Sequence, residues 1–409
     1  MLCGELRAIA SKSHAHRLLI CAAFSKEPCE IICRDVSDDI LATVSCLNAL
    51  GAEITRKGSS FFVRPVKTVP DHADIDCRES GSTLRFLLPV VCVLGISCRI
   101  FMSGRLPSRP LSPLYEELIR HGAILSNKGL SPLCVSGKTV GNEYSIKGVV
   151  SSQFISGLML SLAVRGGGAV NIISELQSAS YIEMTCECLR KSDIIVKSSD
   201  NRIELSGKPA LSGVHEAEGD WSNAAFWLCA GAVGAEPVTV SGLDVSSAQG
   251  DKRVVSLLRE LGSGVTVSGD SVTVSPAPLH AVSIDASDIP DLVPILALVC
   301  CAADGISRIY NAGRLRFKES DRIKAVTEVL SAFGADIRET ADGFIIHGGK
   351  ALHGARVSSF GDHRIAMTAA VASLLCSSEI ILDGAEAVGK SYPDFFNDFK
   401  LLGGRTEFT

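Results

Sequence analysis

The sequence lacks three features, each of which would assign it to a particular class of protein. No apolar run approaches the ~20 residues of a membrane-spanning helix; the longest cover 86–98 and 292–303. The first five residues show neither the basic start nor the apolar core of a signal peptide. The 15 cysteines include no Cys-x-x-Cys pair, and many lie in apolar runs, where a thiol acts as a small hydrophobic group. We therefore predict a soluble protein of the reducing cytoplasm, without a disulfide framework.

A surplus of positive charge is also missing. The net charge is −5, which gives no general attraction to nucleic acid. The nine histidines are scattered, and the pair His14 and His16 has no further ligand nearby, whereas a metal site needs three or four ligands together. We expect no nucleic-acid or membrane partner, no metal and no cofactor. Any anion site must be built locally from individual cations.

A Leu-x-x-x-Gly phrase followed by an apolar residue recurs about every 70 residues. The residues at its fifth position are Gly51, Gly122, Asp193, Gly262, Gly334 and Gly403, at intervals of 71, 71, 69, 72 and 69. The third copy has Asp193 in place of glycine, and the last begins with Phe399 in place of leucine. Glycine just after a helix adopts the left-handed conformation without a clash, so each phrase predicts a helix end.

A second repeated feature lies about 40 residues before the first. Short polar phrases begin apolar runs at 11–13, 80–82, 151–153, 220–222, 288–291 and 361–364. Their Ser and Asp side chains are typical helix N-caps, and runs such as 366–375 are apolar on all sides, which predicts buried helices. With a strand between the helices and a hairpin after them, the chain is predicted to be α/β, with six βαβαββ units split three plus three. The first ten residues could pair with either half.

Cations stand beside several of the predicted helix starts. Lys12 and Arg17 flank Ser13, and Lys318 and Arg322 lie four residues apart. Two such cations repel each other unless an anion or neighbouring acids neutralise them. Helix N-termini also attract anions, so the pattern predicts a site for a small polyanion.

Each group also has an ordinary structural explanation. Glu319 and Asp321 could neutralise the adjacent cations on a solvated surface. Asp291 and Asp362 could be simple helix caps. Arg109 and Lys390 could be exposed loop side chains. Only their joint placement at the starts of units in both halves favours a binding site.

Taken together, these phrases resemble the enolpyruvyl transferase family, in particular its branch that acts on shikimate 3-phosphate. The resemblance covers nearly the whole chain and rests on the ordered segments 11–17, 80–85, 109–111, 151–154, 289–291, 318–322, 362–364 and 390–394. It implies an inside-out α/β barrel fold with two domains, 12–218 and 1–11 plus 219–409. The active site is expected in the cleft between them, in a cytoplasmic monomer.

The resemblance also implies a reaction and its ligands. The enolpyruvyl group of phosphoenolpyruvate would pass to the 5-hydroxyl of shikimate 3-phosphate with release of phosphate, without a metal or a covalent enzyme intermediate. Residues implied for shikimate 3-phosphate are Lys12, Ser13, Arg17, Ser151, Ser152, Gln153, Ser178, Asp291, Arg314 and Lys318. Residues implied for phosphoenolpyruvate are Lys12, Gly81, Arg109, Gln153, Arg322, Arg364 and Lys390. Tyr181 is expected near the shikimate ring.

Three residues are implied in catalysis. Asp291 would take the proton of the 5-hydroxyl, and Glu319 would protonate the methylene carbon, with Lys12 as the other candidate donor. A carboxyl among cations is normally ionised, so the acid role requires that burial or substrate charge keep Glu319 protonated.

The chain departs from the family pattern at several positions. Ile9 and Ala10 replace the usual Pro-Gly before the Lys-Ser phrase, and Glu79 replaces an Asn, which puts an acid near the expected phosphoenolpyruvate site. Arg314 stands where an Asn commonly helps to bind shikimate 3-phosphate.

Two other functions are the alternatives to this reaction. A transferase acting on UDP-N-acetylglucosamine usually has Lys-Asn in place of Lys12 and Ser13 and a reactive Cys near Arg109, whereas 102–110 contains no Cys. A non-catalytic relative that binds a phosphorylated ligand would not need Asp291 together with Glu319.

Overall fold

The repeat in the sequence corresponds to a repeated arrangement of strands and helices. The computed structural model describes residues 2–408. Two compact units divide the chain: a C-terminal unit of Met1–Ser11 with Glu218–Thr409, and an N-terminal unit of Lys12–Ala217. None of the helices described is both long enough and apolar enough to cross a bilayer.

The helices are α1 (Lys12–Ala23), α2 (Asp38–Ala49), α3 (Gly81–Leu94), α4 (Leu114–Arg120), α5 (Ser152–Arg165), α6 (Ala179–Lys191), α7 (Trp221–Val233), α8 (Val254–Glu260), α9 (Val293–Ala302), α10 (Arg322–Ala332), α11 (His363–Ala372) and α12 (Phe395–Leu401). Short 3-10 turns cover Leu106–Ser108, Gly250–Arg253, Gly313–Phe317 and Ala385–Lys390.

The strands are β1 (Gly4–Arg7), β2 (Cys29–Ile32), β3 (Glu53–Lys57), β4 (Ser60–Arg64), β5 (His72–Asp76), β6 (Ser97–Phe101), β7 (Ile124–Leu125), β8 (Leu133–Ser136), β9 (Glu143–Ile146), β10 (Gly167–Ile172), β11 (Ile195–Ser199), β12 (Arg202–Ser206), β13 (Gly213–Glu216), β14 (Val238–Ser241), β15 (Gly264–Ser268), β16 (Ser271–Ser275), β17 (Ser283–Asp285), β18 (Ile306–Tyr310), β19 (Asp336–Thr340), β20 (Gly343–His347), β21 (Arg356–Ser358) and β22 (Ile381–Asp383).

The N-terminal unit has three four-stranded sheets of the same design. Their orders are β13-β2-β4-β3, β5-β6-β8-β7 and β11-β12-β10-β9. In each sheet one parallel pair adjoins an antiparallel hairpin; in the second sheet, for example, His72 pairs with Ser97 and Cys98 with Val135. The first copy takes its parallel partner, β13, from the end of the unit. The sheets cover α1, α3 and α5, which are buried along most of their length.

The C-terminal unit repeats this design with one exception. Two sheets have the orders β1-β14-β16-β15 and β17-β18-β20-β19, whereas the third consists of β21 and β22 alone. The predicted hairpin of the sixth copy is therefore not formed within residues 2–408. Strand β1 pairs in parallel with β14, with Gly4 opposite Val238, which places the first residues in this unit.

The helix ends agree with the sequence prediction at all six copies. Every fifth-position residue has a positive φ, including Asp193 at 60°, where glycine is missing. The other five are glycines with φ between 93° and 104°. Left-handed conformation is tolerated by Asp better than by most non-glycine residues, which explains how the third copy retains its helix end.

The predicted side-chain caps are present at the helix starts of four copies, whereas the fifth copy differs. The side chains of Ser80, Ser151, Asp220 and Asp362 accept hydrogen bonds from backbone N–H groups in the first turns of α3, α5, α7 and α11. Helix α9, however, begins at Val293 after Leu292, without a side-chain cap. The prediction that Asp291 or Asp288 caps this helix is wrong for Asp291, because its carboxylate pairs with cations instead.

Most of the cysteines belong to the two cores, as expected. Twelve of the fifteen are buried, and none of those described forms a disulfide. Burial raises the pKa of the Cys21 thiol to about 11, which keeps it neutral and unreactive.

Gly157 sets the distance between α3 and α5. A methyl group there would lie 2.1 Å from the carbonyl oxygen of Arg85 and 3.3 Å from the ring of Pro89. Gly157→Ala should therefore lower the free energy of unfolding by about 1–3 kcal/mol, since the helices must separate. Scanning calorimetry tests this, with Gly264→Ala as a control, because a methyl group there makes only ordinary contacts. Equal stability of both variants would contradict this packing argument.

Candidate functional site

Helix α1 of the N-terminal unit presents the first group of cations. Lys12 donates to Asp39 Oδ2 at 2.9 Å. Arg17 is buried and donates to Thr185 Oγ1 at 2.7 Å, to the carbonyl of Ser13 at 2.6 Å and to that of Tyr181 at 2.9 Å. Burial lowers the pKa of Arg17 to about 10, so it remains a cation at neutral pH. The predicted pair of cations at this helix start is therefore held in place by neighbouring helices.

A buried histidine lies between these two cations in sequence. Nδ1 of His16 is 2.7 Å from Thr43 Oγ1. Burial, together with the charges of Lys12 and Arg17, holds the pKa of His16 well below its usual range. The imidazole is therefore neutral and adds no charge to the group.

The start of α3 brings two more guanidinium groups together. A methyl group on Gly81 would lie 2.6 Å from Nη1 of Arg85 and 3.0 Å from Nη1 of Arg109. Arg85 donates to Gln153 Oε1 at 2.8 Å, and Gln153 donates to Ser82 Oγ at 2.9 Å. The structure thus joins Gly81, Arg109 and Gln153, which were predicted from separate segments.

The remaining predicted site residues of this unit lie at the starts of α5 and α6. Ser151 accepts from the backbone N–H of Gln153 at 3.3 Å, and Ser152 is buried beside it. Ser178 precedes α6 with φ of 56°, an uncommon conformation for serine. Tyr181 lies in the first turn of α6, and its carbonyl accepts from Arg17.

Glu79 does not extend freely from the start of α3. A methyl group on Gly104 would lie 2.6 Å from both of its carboxylate oxygens. The acid thus packs against the Gly104 turn, which leads through the 3-10 turn Leu106–Ser108 to Arg109. The Gly104 turn thus holds the Glu79 carboxyl beside the segment that leads to Arg109.

Arg322 is the centre of the second group, in the C-terminal unit. It is 1% exposed and donates to Asp291 Oδ1 at 2.7 Å, to Glu319 Oε2 at 2.8 Å and to Asp362 Oδ2 at 2.8 Å. Burial disfavours its charge, but the three carboxylates outweigh burial and raise its pKa above the ordinary value. One guanidinium thus joins the segment before α9, the segment before α10 and the start of α11.

Two further cations reach the same aspartate. Nζ of Lys318 lies 3.6 Å from Asp291 Oδ1, and Nη2 of Arg364 lies 3.5 Å from Asp291 Oδ2. Burial disfavours ionisation of Asp291, but Arg364, Lys318 and Arg322 outweigh it and hold its pKa well below the usual range. Burial lowers the pKa of Lys318 to about 8, although Asp291 partly opposes this shift. Asp291 is therefore ionised among three cations.

Lys390 and Arg314 contact the backbone of segments that adjoin this group. Lys390 donates to the carbonyl of Gly361 at 2.7 Å, just before α11, the helix that carries Arg364. Arg314 lies in the turn Gly313–Phe317 and donates to the carbonyl of Ser287. Both remain candidates for ligand binding.

The sequence reasoning missed two acids that support these groups. Asp39 pairs with Lys12 across 27 residues, and buried Asp251 accepts from Ser222 Oγ across 29 residues. No local pattern distinguished them, because their partners are distant in the chain. The described residues contain no cluster of His, Cys, Asp and Glu that could hold a metal ion.

The architecture defines the class of protein. EPSP synthase from Acinetobacter baumannii superposes with a TM-score of 0.82 at 23% identity, covering 98% of this chain and 96% of that one. The enolpyruvyl transferase NikO from Streptomyces tendae gives a TM-score of 0.77 at 18% identity, covering 99% and 95%. The chain has the enolpyruvyl transferase fold.

Sequence comparison identifies the family. The family model described as EPSP synthase (3-phosphoshikimate 1-carboxyvinyltransferase) matches residues 1–399. Relatives named 3-phosphoshikimate 1-carboxyvinyltransferase include one from Clostridium kluyveri, 38% identical over 99% of this chain and 96% of its own, and one from Methanocorpusculum labreanum, 37% identical over 98% and 96%. The chain belongs to the EPSP synthase family, and the resemblance inferred from its motifs is confirmed.

Removing the cation at the centre of the C-terminal group should be costly. Arg322→Ala would leave three carboxylates together without the guanidinium that joins them, and should lower the free energy of unfolding by about 3–5 kcal/mol. Arg356→Ala, which breaks an exposed pair with Asp383, should cost less than about 1 kcal/mol. Urea unfolding followed by tryptophan fluorescence tests this, because both tryptophans, Trp221 and Trp227, are buried in this unit. Similar losses for both variants would contradict the central role of Arg322.

Proposed function

We propose that this protein transfers the enolpyruvyl group of phosphoenolpyruvate to the 5-hydroxyl of shikimate 3-phosphate and releases phosphate. The observation that carries the proposal is Asp291, an ionised carboxylate contacted by Lys318, Arg322 and Arg364. The cations suit two substrates that both carry phosphate and carboxylate groups, and the carboxylate beside them suits the removal of a proton. Membership of the family supports the same reaction.

Shikimate 3-phosphate is assigned to the residues that the motifs imply. In the N-terminal unit these are Lys12, Ser13, Arg17, Ser151, Ser152, Gln153 and Ser178; in the C-terminal unit they are Asp291, Arg314 and Lys318. Arg17 contributes charge and orients Ser13, whose carbonyl it bonds. The capped start of α5 adds N–H groups suited to a phosphate.

Phosphoenolpyruvate is assigned to the guanidinium-rich groups. Its residues are Lys12, Gly81, Arg109, Gln153, Arg322, Arg364 and Lys390. Absence of a side chain at Gly81 leaves room beside Arg109, where an anion could also accept from the first turn of α3. Nε of Arg364 is buried and has no hydrogen-bond partner among the described residues. Because buried polar groups are normally hydrogen-bonded, this N–H supports the assignment of an anionic ligand to Arg364.

Asp291 is proposed as the base. In the free protein its pKa is too low for efficient proton transfer, because three cations stabilise the carboxylate. Substrate anions that bind Lys318 and Arg364 would weaken this stabilisation and raise the pKa of Asp291. The base would then become effective only when the substrates are bound.

The proposed reaction has an addition step and an elimination step. The 5-hydroxyl oxygen bonds to the central carbon of phosphoenolpyruvate, its proton passes to Asp291, and the methylene carbon takes a proton from Glu319 or Lys12. In the second step the carbon–oxygen bond to phosphate breaks, and the phosphate leaves with the electrons of that bond and the proton held by Asp291. The group that donated the proton, Glu319 or Lys12, takes one back from the methyl group, which restores the carbon–carbon double bond. Glu319 is bonded to Arg322, so its acid role requires that a substrate anion compete for that cation.

We also propose that the protein acts as a monomer in the cytoplasm, without a cofactor or a nucleic-acid or membrane partner. Twelve buried thiols and the absence of disulfides among the described residues support a reducing compartment. Light scattering of the purified protein would test the monomer.

The first functional prediction concerns the acid and the base. Asp291→Asn and Glu319→Gln should each lower phosphate release by about 10²–10⁴-fold, because each removes a proton-transfer group. Release is measured with phosphoenolpyruvate and either shikimate 3-phosphate or UDP-N-acetylglucosamine. Glu328→Gln, at an exposed position of α10, is the control. Full activity of Glu319→Gln would assign the donor role to Lys12, and release with the UDP sugar alone would overturn the proposed function.

The second functional prediction concerns pH. Lys318 loses its proton above about pH 8, because burial lowers its pKa to about 8. Only the ammonium attracts phosphate, so the Kd of shikimate 3-phosphate should rise as pH increases beyond 8, by up to about tenfold per pH unit. Calorimetry should show that Lys318→Arg removes this rise, whereas Lys324→Arg, at an exposed position of α10, preserves it. A rise that persists in Lys318→Arg would contradict the assignment.

A further inference from the structure

Another buried carboxylate, that of Asp251, lies close enough to the proposed base for their charges to interact. Asp251 belongs to the turn Gly250–Arg253 and is 2% exposed. Burial and the charge of Asp291 raise the pKa of Asp251 to about 7, against the influence of Arg364. It lies outside the segments that resemble the family motifs, and neither substrate is assigned to it.

Asp251 is connected to Arg364 through one residue. Its carboxylate accepts a hydrogen bond from Ser222 Oγ in the first turn of α7. The carbonyl of the same Ser222 accepts from Nη1 of Arg364 at 3.2 Å. Nη2 of Arg364 then lies 3.5 Å from Asp291. A chain of contacts thus runs from Asp251 to the proposed base.

Arg364 depends on α7 for its orientation. Besides Ser222, its guanidinium lies over the ring of Phe226, 5.9 Å from the ring centre, one turn along the same helix. Its contact with Asp291 is too long for a normal hydrogen bond. A movement of the first turn of α7 would therefore move the guanidinium directly.

The segment around Asp251 fixes this turn at two points. Gln249 Oε1 accepts from the backbone N–H of Trp221 at 3.2 Å, and Asp251 accepts from the side chain of the next residue, Ser222. Asp220 already caps the helix by accepting from the N–H of Asn223 at 2.8 Å. Since the cap is satisfied by Asp220, Asp251 is not required to begin α7.

We propose that Asp251 is a positioning residue that holds Ser222, and through it orients Arg364 toward phosphoenolpyruvate. The inference rests on the proposed function, since it takes Arg364 as a ligand of that substrate. The proposed assignments place neither substrate at Asp251 itself. Its removal should therefore weaken the use of phosphoenolpyruvate selectively, rather than abolish the reaction.

The test compares the kinetic and binding constants of three variants and one control. Asp251→Ala and Ser222→Ala should each raise the KM of phosphoenolpyruvate about tenfold or more, with a smaller fall in kcat and less than a twofold change in the Kd of shikimate 3-phosphate. Asp251→Asn should restore most of the loss, because its amide oxygen still accepts from Ser222. Asp270→Ala, at an exposed acid of the same unit, should change none of these constants.

A double-mutant cycle separates positioning from general support of the fold. Arg364→Lys removes the nitrogen that donates to Ser222, so Asp251→Ala should raise the KM of phosphoenolpyruvate less than twofold in that background. An equal effect in both backgrounds would overturn the proposal, as would equal losses toward both substrates. If Asp251→Ala fails to fold, Ser222→Ala in the two backgrounds gives the same test.

Lack of phosphate release by the unmodified protein would overturn the proposed function itself, whereas an active protein with unchanged Asp251→Ala constants would overturn this inference alone.

Discussion

The C-terminal site depends on a single buried guanidinium, that of Arg322. An unpaired charge at its position would cost several kcal/mol, so the three carboxylates of Asp291, Glu319 and Asp362 are a condition for its burial. Those acids come from three different segments, and Arg322 therefore fixes the geometry of all of them. The cations that surround Asp291 also depend on it, since they meet at a carboxylate that Arg322 holds.

The charges of this group are nearly balanced before any substrate binds. Three acids, Asp291, Glu319 and Asp362, face Arg322, and two further cations approach Asp291. On the proposed assignment, each substrate anion competes with one of these acids for a cation. Binding then raises the basicity of Asp291 and eases protonation of Glu319 through the same contacts. Substrate affinity and proton transfer would thus share one physical cause.

The sequence predicted those features that are local along the chain. The repeated phrase located one helix end in each of the six copies, including that at Asp193, because the left-handed residue that ends a helix is recognised from the residues next to it. The cations Lys12, Arg322 and Arg364 likewise lie at helix starts, as predicted. By contrast, Asp39 and Asp251 could not be recognised, since their partners lie 27 and 29 residues away. At Asp291 a local rule failed: the position resembles a cap, but three cations attract its carboxylate more strongly than the N–H groups of α9 do.

Asp362 shows how the repeated fold becomes a specific site. As a cap it accepts from the backbone N–H of Arg364 at 3.0 Å, which is the same role that Asp220 has in its own copy. Its second oxygen also accepts from Arg322 at 2.8 Å and from Ser320 at 3.0 Å. One carboxylate therefore sets the position of α10 relative to α11, and with it the spacing of the two guanidinium groups assigned to phosphoenolpyruvate. Because this acid is fully buried, the spacing is fixed before the substrate binds, so a ligand must match it with its own charges.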